Sequence, residues 1–204
     1  MNRILFKTMQ TERQKEIIST ALELIETKGI QGLTIKNISK QIGISEPAIY
    51  RHFESKIEIL TAILDMIKNS NNRLYTEEII DQETATAKIE RLFQNHFQAF
   101  YNYPQFVSVI FAEEIFRNEK ALLIKLKELI NHNNLVLKDI IRNGQENNEI
   151  RDDIDTDSLA TMILGTLRLY VKKWQLAEYN FNLLKEGNIL IQMVVKLIRK
   201  PGNE

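Results

Sequence analysis

Apolar residues recur along this chain at intervals of three and four, the spacing of one face of a helix, and hardly anywhere alternate as a strand would. Ile17, Ile18, Ala21, Leu22 and Ile25 form the first stripe. Thr11 and Gln14 precede it with the spacing of a capping box, and Gly29 is a suitable helix stop. Ile35, Ile38 and Ile42 form a shorter stripe behind Thr34, whose hydroxyl can accept from an unpaired N–H of the first turn. Gly43 lets the chain turn sharply because it has no Cβ to clash at positive φ. Ser45 has the character of a cap for the next helix, and Pro47 falls in its first turn, where a missing N–H costs little. Ile49 and Phe53 point inward at i, i+4. A second capping box, Ser55 and Glu58, opens a fourth helix on Ile57, Leu60, Ile63, Leu64 and Ile67; its end falls either at 69–72 or near Ile80.

The later pattern is helical as well. A helix over 85–103 is broken by Pro104, and others are expected over 105–117, 120–143, 155–179 and 183–200. Gly144 and the polar run QENNE are expected to close the third of these, and Asp155 to cap the fourth. The expected fold is all-α: a helix-turn-helix head over 1–56, a connecting helix over about 55–75, and a larger helical domain over 57–204.

Composition agrees with helices, since 204 residues include only 3 Pro and 7 Gly. The 27 basic and 27 acidic residues cancel, so there is no global pull toward nucleic acid. Locally the balance differs: Lys28, Lys36, Lys40, Arg51 and Lys56 face only Glu46 and Glu54 between positions 28 and 56. Cysteine is absent, which excludes disulfides and thiol chemistry. The three histidines have no partner at metal-binding spacing, no Ser/His/Asp grouping or phosphate-cradling glycine loop is present, and neither catalysis nor a metal or cofactor is expected. No stretch reaches the roughly 18 apolar residues of a membrane span, so a cytoplasmic protein is expected. The first ten residues read as an arm whose Arg3 and Lys7 are candidates for phosphate contact.

The stretch from Thr34 to Lys56 is thus a short helix, a turn and a second short helix whose outward face carries hydroxyl, cationic and imidazole groups suited to phosphates and base edges. A plain αα-hairpin has the same outline. The run GLTIKNISKQIGISEPAIYRHFESK, however, resembles the signature of the TetR (tetracycline-repressor) family of bacterial regulators. It matches in the Thr opening the second helix, the turn Gly, the aliphatic–Tyr–x–His–Phe end of the recognition helix, and the following Lys. The resemblance covers about the first third of the chain. It implies that Thr34, Lys36, Tyr50, His52 and Lys56 bind phosphates, with Ser45, Glu46, Pro47, Ala48 and Arg51 nearer the base edges. Arg51 is the better candidate for a bidentate guanine contact. It further implies a homodimer formed through the last two helices on a palindromic operator, released by a small effector held in the C-terminal domain.

Two features of the C-terminal part bear on those implications. Six of the nine phenylalanines lie between Phe93 and Phe116, either as a filled core or as the wall of an apolar pocket for an apolar or aromatic effector. Candidate pocket residues are Phe93, His96, Phe97, Phe100, Tyr101, Phe106, Ile110, Leu126, Met162 and Tyr170. The last helix is apolar on more than one side and needs cover from a second subunit or from its own domain. Leu159, Gly165, Leu169, Ile191, Val194, Val195 and Ile198 are the candidate dimer residues. The functional expectation is a ligand-responsive repressor. An effector-independent chromosomal DNA-binding factor, or an enzyme domain fused to a DNA-binding head, are the alternatives.

Overall fold

The computed structural model describes residues 11–76, 83–112, 116–117 and 119–202. Arg3, Lys7 and the far end of the expected fourth helix lie outside them. All regular elements among the described residues are helical, apart from one isolated bridge. They are α1 (Glu12–Lys28), a single 3₁₀ turn (Ile30–Gly32), α2 (Ile35–Ile42), α3 (Glu46–Tyr50), α4 (Lys56–Thr76), α5 (Ala85–Asn102), α6 (Gln105–Ile110), α7 (Lys120–Glu146), α8 (Thr156–Leu176) and α9 (Leu183–Ile198). Compactness groups Met1–Ser70 with Pro104–Leu129, and Asn71–Tyr103 with Ile130–Glu204.

The first unit is larger than the 1–56 head expected from the sequence, for a reason of size: three short helices bury too little apolar surface to be secure alone. Ile17, Ile18, Leu24 and Ile25 of α1 are buried with Leu33, Ile38, Ile49, Phe53, Ile59, Leu60 and Ile63. Helix α6 packs on α1 and brings Phe106, Val107 and Val109 into the same unit, where they too are buried. Lys125 reaches Asp65 at 2.8 Å and Lys68 reaches Glu128 at 3.1 Å, joining α4 to the start of α7. Both pairs are partly exposed, so solvent screening leaves them little weight in stability. The acid and base ends respond as expected: the Asp65 carboxylate raises the Lys125 pKa, and the Lys68 ammonium lowers that of Glu128.

The second unit is built around α5. Its residues Ile89, Leu92, Phe93, His96 and Phe97 are buried. Helix α9 lies close against it at Gly187, where an added Cβ would stand 2.5 Å from ring carbons of Phe97. Rings of Phe93 and Phe97 meet edge to face at 5.9 Å, Phe97 meets Tyr170 at 6.1 Å, and Tyr170 meets Phe181 at 5.6 Å. On this side of α5 the aromatic cluster is filled core. Helix α7 ends at Glu146, inside the polar run QENNE expected to close it, with Gly144 still helical. The missing side chain of Gly144 lets α7 approach Ala85 and Ile150, and the chain turns at Asn148 with φ 59°.

The α8–α9 hairpin is closed at both ends. At its tip Glu178 and Tyr179 take positive φ, and the Trp174 indole N–H donates to the Phe181 carbonyl at 3.0 Å. At its base Ile150 and Arg199 form a bridge, the Arg151 N–H donates to Ile198 O at 2.9 Å, and the Lys200 N–H donates to Glu149 O at 3.1 Å. Glu149 also accepts from the Ala85 N–H at 2.5 Å, a carboxylate at the positive end of α5.

Helix α9 carries two apolar stripes, and the structure sorts them. Gly187, Ile191, Val194, Val195 and Ile198 are buried within their own chain, as is Leu159 of α8. Ile191, Val194, Val195, Ile198 and Leu159 are therefore intramolecular core, not the outward face expected of them, because the stripe continuous with Gly187 is the one that meets α5. The outward stripe is Ile189, Met193 and Leu197, with Met162, Leu169 and Leu176 from α8. Met162 belongs to this exposed face, where with Leu159, Thr166, Val194 and Leu197 it lines an open hollow between α8 and α9. Tyr101 is likewise half out in solvent. Gly165 is exposed, with nothing within 4 Å of the position a Cβ would take.

Candidate nucleic-acid interface

The interface is assembled by local rules. Thr34 caps α2 by accepting from the Asn37 N–H at 3.1 Å, and the Asn37 side chain donates to Gly32 O at 2.8 Å, holding α2 onto the 3₁₀ turn. Sequence reasoning passed over Asn37; a polar residue at N3 after a Thr cap was its only signal. At the other end Gly43 takes φ 80°, and the N–H groups of Gly43 and Ile44 both donate to Ser39 O, at 2.9 and 3.1 Å. That is a helix stop in a left-handed residue, and it sends the chain directly into α3. The expected cap by Ser45 is absent: its side chain makes no capping bond, and its carbonyl accepts from the Ala48 N–H at 2.9 Å. Pro47 in the first turn leaves one fewer N–H to satisfy there.

Burial divides the two helices into faces. Ile35, Ile38, Ser39, Ile49 and Phe53 are buried. Thr34, Lys36, Ser45, Glu46, Pro47, Tyr50 and Arg51 are exposed, with Ala48, His52 and Lys56 half-buried at the margin. The Tyr50 ring is 50% exposed, high for a large aromatic flanked by buried Ile49 and Phe53. Lys56 is the first residue of α4, beside the end of α3, and Glu58 accepts from the Glu54 N–H at 2.5 Å to fix that corner. Among the described residues no ion pair engages Lys36, Lys40, Arg51 or Lys56. A face with a phenol, hydroxyls and uncommitted cations suits a polyanion; seven of the ten predicted DNA-contact residues are exposed and three half-buried, all within the first unit.

Residues 17–63 match the family described as bacterial regulatory proteins of the tetR family, and residues 66–197 match the C-terminal region of YsiA-like proteins. This chain belongs to the TetR family. It is a DNA-binding transcriptional regulator. Among curated relatives of this TetR-family chain, the fatty acid metabolism regulator protein of Bacillus subtilis is 24% identical over 189 residues, spanning 92% of this chain and 97% of the relative. The nucleoid occlusion factor SlmA of Vibrio cholerae is 24% identical over 172 residues, 83% and 87% of the two chains. Of solved structures, the regulator FadR of Bacillus subtilis in complex with stearoyl-CoA superposes with a TM-score of 0.78 at 23% identity, covering 90% of this chain and 98% of that one. The ketosteroid transcriptional regulator of Mycobacterium tuberculosis gives 0.77 at 18%, covering 94% and 97%. These likenesses show a shared fold over nearly the whole chain.

The candidate effector residues are distributed between the units. Phe106, Ile110 and Leu126 belong to the first. Phe93, His96, Phe97, Phe100, Tyr101, Met162 and Tyr170 belong to the second. Of these, Phe93, His96 and Phe97 are buried, and the His96 and Phe100 rings lie 6.3 Å apart. The His96 Nδ1 donates to Leu92 O at 2.8 Å, and burial lowers its pKa below the ordinary imidazole value. Among the described residues no group of His, Asp and Glu is arranged to hold a metal ion, and no described helix is long and apolar enough to cross a membrane.

Proposed function

We propose that this TetR-family chain is a repressor that binds an inverted-repeat operator as a homodimer and is released by an effector carrying a long apolar chain. The observation that carries the DNA half is the uncommitted strip of Lys36, Tyr50, Arg51 and Lys56 on a helix-turn-helix whose inner face is fully packed. Thr34, Lys36, Tyr50, His52 and Lys56 hold phosphates; Ser45, Glu46, Pro47, Ala48 and Arg51 face base edges. The exposed apolar residues of α8 and α9 support the dimer, since Met162, Leu169, Leu176, Ile189, Met193 and Leu197 are each more than half exposed, and apolar exposure of this kind marks interaction surfaces. A two-fold dimer places two recognition helices one DNA turn apart, about 34–36 Å.

The effector class rests on the likeness to the fatty acid metabolism regulator and to a FadR that holds stearoyl-CoA, together with the aromatic-rich second unit. The effector need only favour the arrangement of the heads that misfits DNA. A preference of roughly 10⁴-fold, or ~5.5 kcal/mol, takes such an equilibrium from almost wholly bound to almost wholly released. The protein acts in the cytoplasm, on the nucleoid.

Selection of bound genomic fragments at two salt concentrations, with and without stearoyl-CoA, tests this reading. An enriched inverted repeat, lost at high salt and on adding the thioester, is expected. Tyr50→Ala and Lys56→Ala should weaken binding while leaving the fold intact, and Lys56→Ala should reduce the salt slope by about one. Unchanged affinity in both variants would remove the site assignment. The likeness to nucleoid occlusion factors favours a second reading, an effector-independent chromosomal factor. Many scattered sites and no response to the thioester would establish that one instead.

A further inference from the structure

Helix α7 carries a polar break in its buried face. Leu137, Ile140 and Ile141 are buried in the second unit. Asn133 lies one turn before Leu137 and two turns before Ile140, so helical spacing puts it on the same stripe. A leucine would suit both the helix and that face. Instead the position holds a carboxamide whose Oδ1 is buried and has no hydrogen-bond partner among the described residues. An unpaired buried carbonyl loses its hydration without compensation, and native proteins keep few of them outside functional sites. Local rules of this kind are broken where a ligand supplies what the fold does not.

We infer that Asn133 is the polar anchor of the effector: its amide, whose oxygen is buried, hydrogen-bonds the first polar group of an amphiphile whose apolar part lies along the α7 stripe. This inference rests on the effector reading above and adds the residue that recognises the junction between chain and head. A carboxamide can turn its carbonyl or its NH₂ toward the ligand by a half rotation. It can therefore accept from a hydroxyl or donate to a carbonyl. Acyl thioesters, free fatty acids and long-chain alcohols share that junction and differ in the group it presents.

The test uses the full chain, an operator from the selection above, and stearoyl-CoA, stearic acid and octadecanol as probes in a DNA-release titration. Asn133→Leu fills the stripe, and Asn133→Ala is the second variant should the first not fold. Both are expected to bind operator within about twofold of the parent when no probe is present. The probe concentration for half-release should rise at least tenfold, about 1.4 kcal/mol. Asn133→Leu should also melt no lower than the parent without probe, since it removes an unpaired buried group. Half-release at the parental concentration in both variants would overturn the anchor while leaving ligand response intact. A sharp fall in melting temperature with unchanged half-release would overturn it too, by showing the amide to be structural. If no probe releases the parent, the effector reading itself fails and the anchor falls with it.

Discussion

His96 shows how one buried polar group couples this fold to pH. Its ring is 4% exposed, its Nδ1 proton is spent on the Leu92 carbonyl, and burial holds its pKa below the ordinary 6.5. As pH falls through about 6.5 the unfolded chain takes up a proton at this position and the folded chain does not. Stability therefore declines below that point and continues to decline until the lower folded pKa is reached. His96→Gln removes the titration, so its loss of melting temperature between pH 7.5 and 5.5 should be smaller than that of the parent. Equal losses would assign the acid sensitivity elsewhere. Much at this scale was legible in the sequence. Thr11, Thr34 and Asp155 cap α1, α2 and α8 as their positions indicate, because a cap is decided by residues three apart. Ser45 has the same local signature and makes no such bond. Asn133 was passed over, although a lone polar residue in an apolar stripe was the available signal.

At the scale of helices, periodicity located the elements but could not say which side of α9 faces in. Ile189, Met193 and Leu197 are as apolar as Ile191, Val194 and Val195. The deciding feature is Gly187, which shares a stripe with the second set and admits the Phe97 ring. Gly144 was likewise readable only as a stop, since close approach by Ala85 and Ile150 involves residues distant in sequence or across a turn. The two exposed and buried glycines of the hairpin lead to opposite expectations. Gly187→Ala forces a Cβ against a fully buried ring and should cost ~1–3 kcal/mol in denaturant unfolding. Gly165→Ala meets nothing in its own chain and should raise the intrinsic helix stability of α8 by up to ~1 kcal/mol. If the two α8 copies of the proposed dimer cross at Gly165, the same change weakens association, which light scattering across a dilution series would show.

For the whole molecule the exposed stripe of α8 and α9 carries the heaviest consequence. Leu169 is 71% exposed and Met193 56%, and both lie among other apolar side chains. Leu169→Glu with Met193→Glu places charge in the middle of the proposed interface without touching the buried stripe. The double variant should elute and scatter as a monomer with unchanged helical circular dichroism. Its operator affinity should fall by a factor of 10² or more, because two half-sites are no longer gripped by one linked pair of heads. A variant that remains dimeric would place the interface elsewhere.

The closed base of the hairpin bears on how such a dimer could form. Residues 149–151 and 198–200 are held together by backbone hydrogen bonds, and Lys200 adds an ion pair to Asp152 at 2.8 Å. An arm fastened at both ends is hard to lend to a neighbour. Exchange of α8 or α9 between subunits would have to undo that fastening first, together with the Gly187 contact on α5. The pairing favoured by this construction is one of complete subunits laid side by side, able to separate and re-form without either partner unfolding.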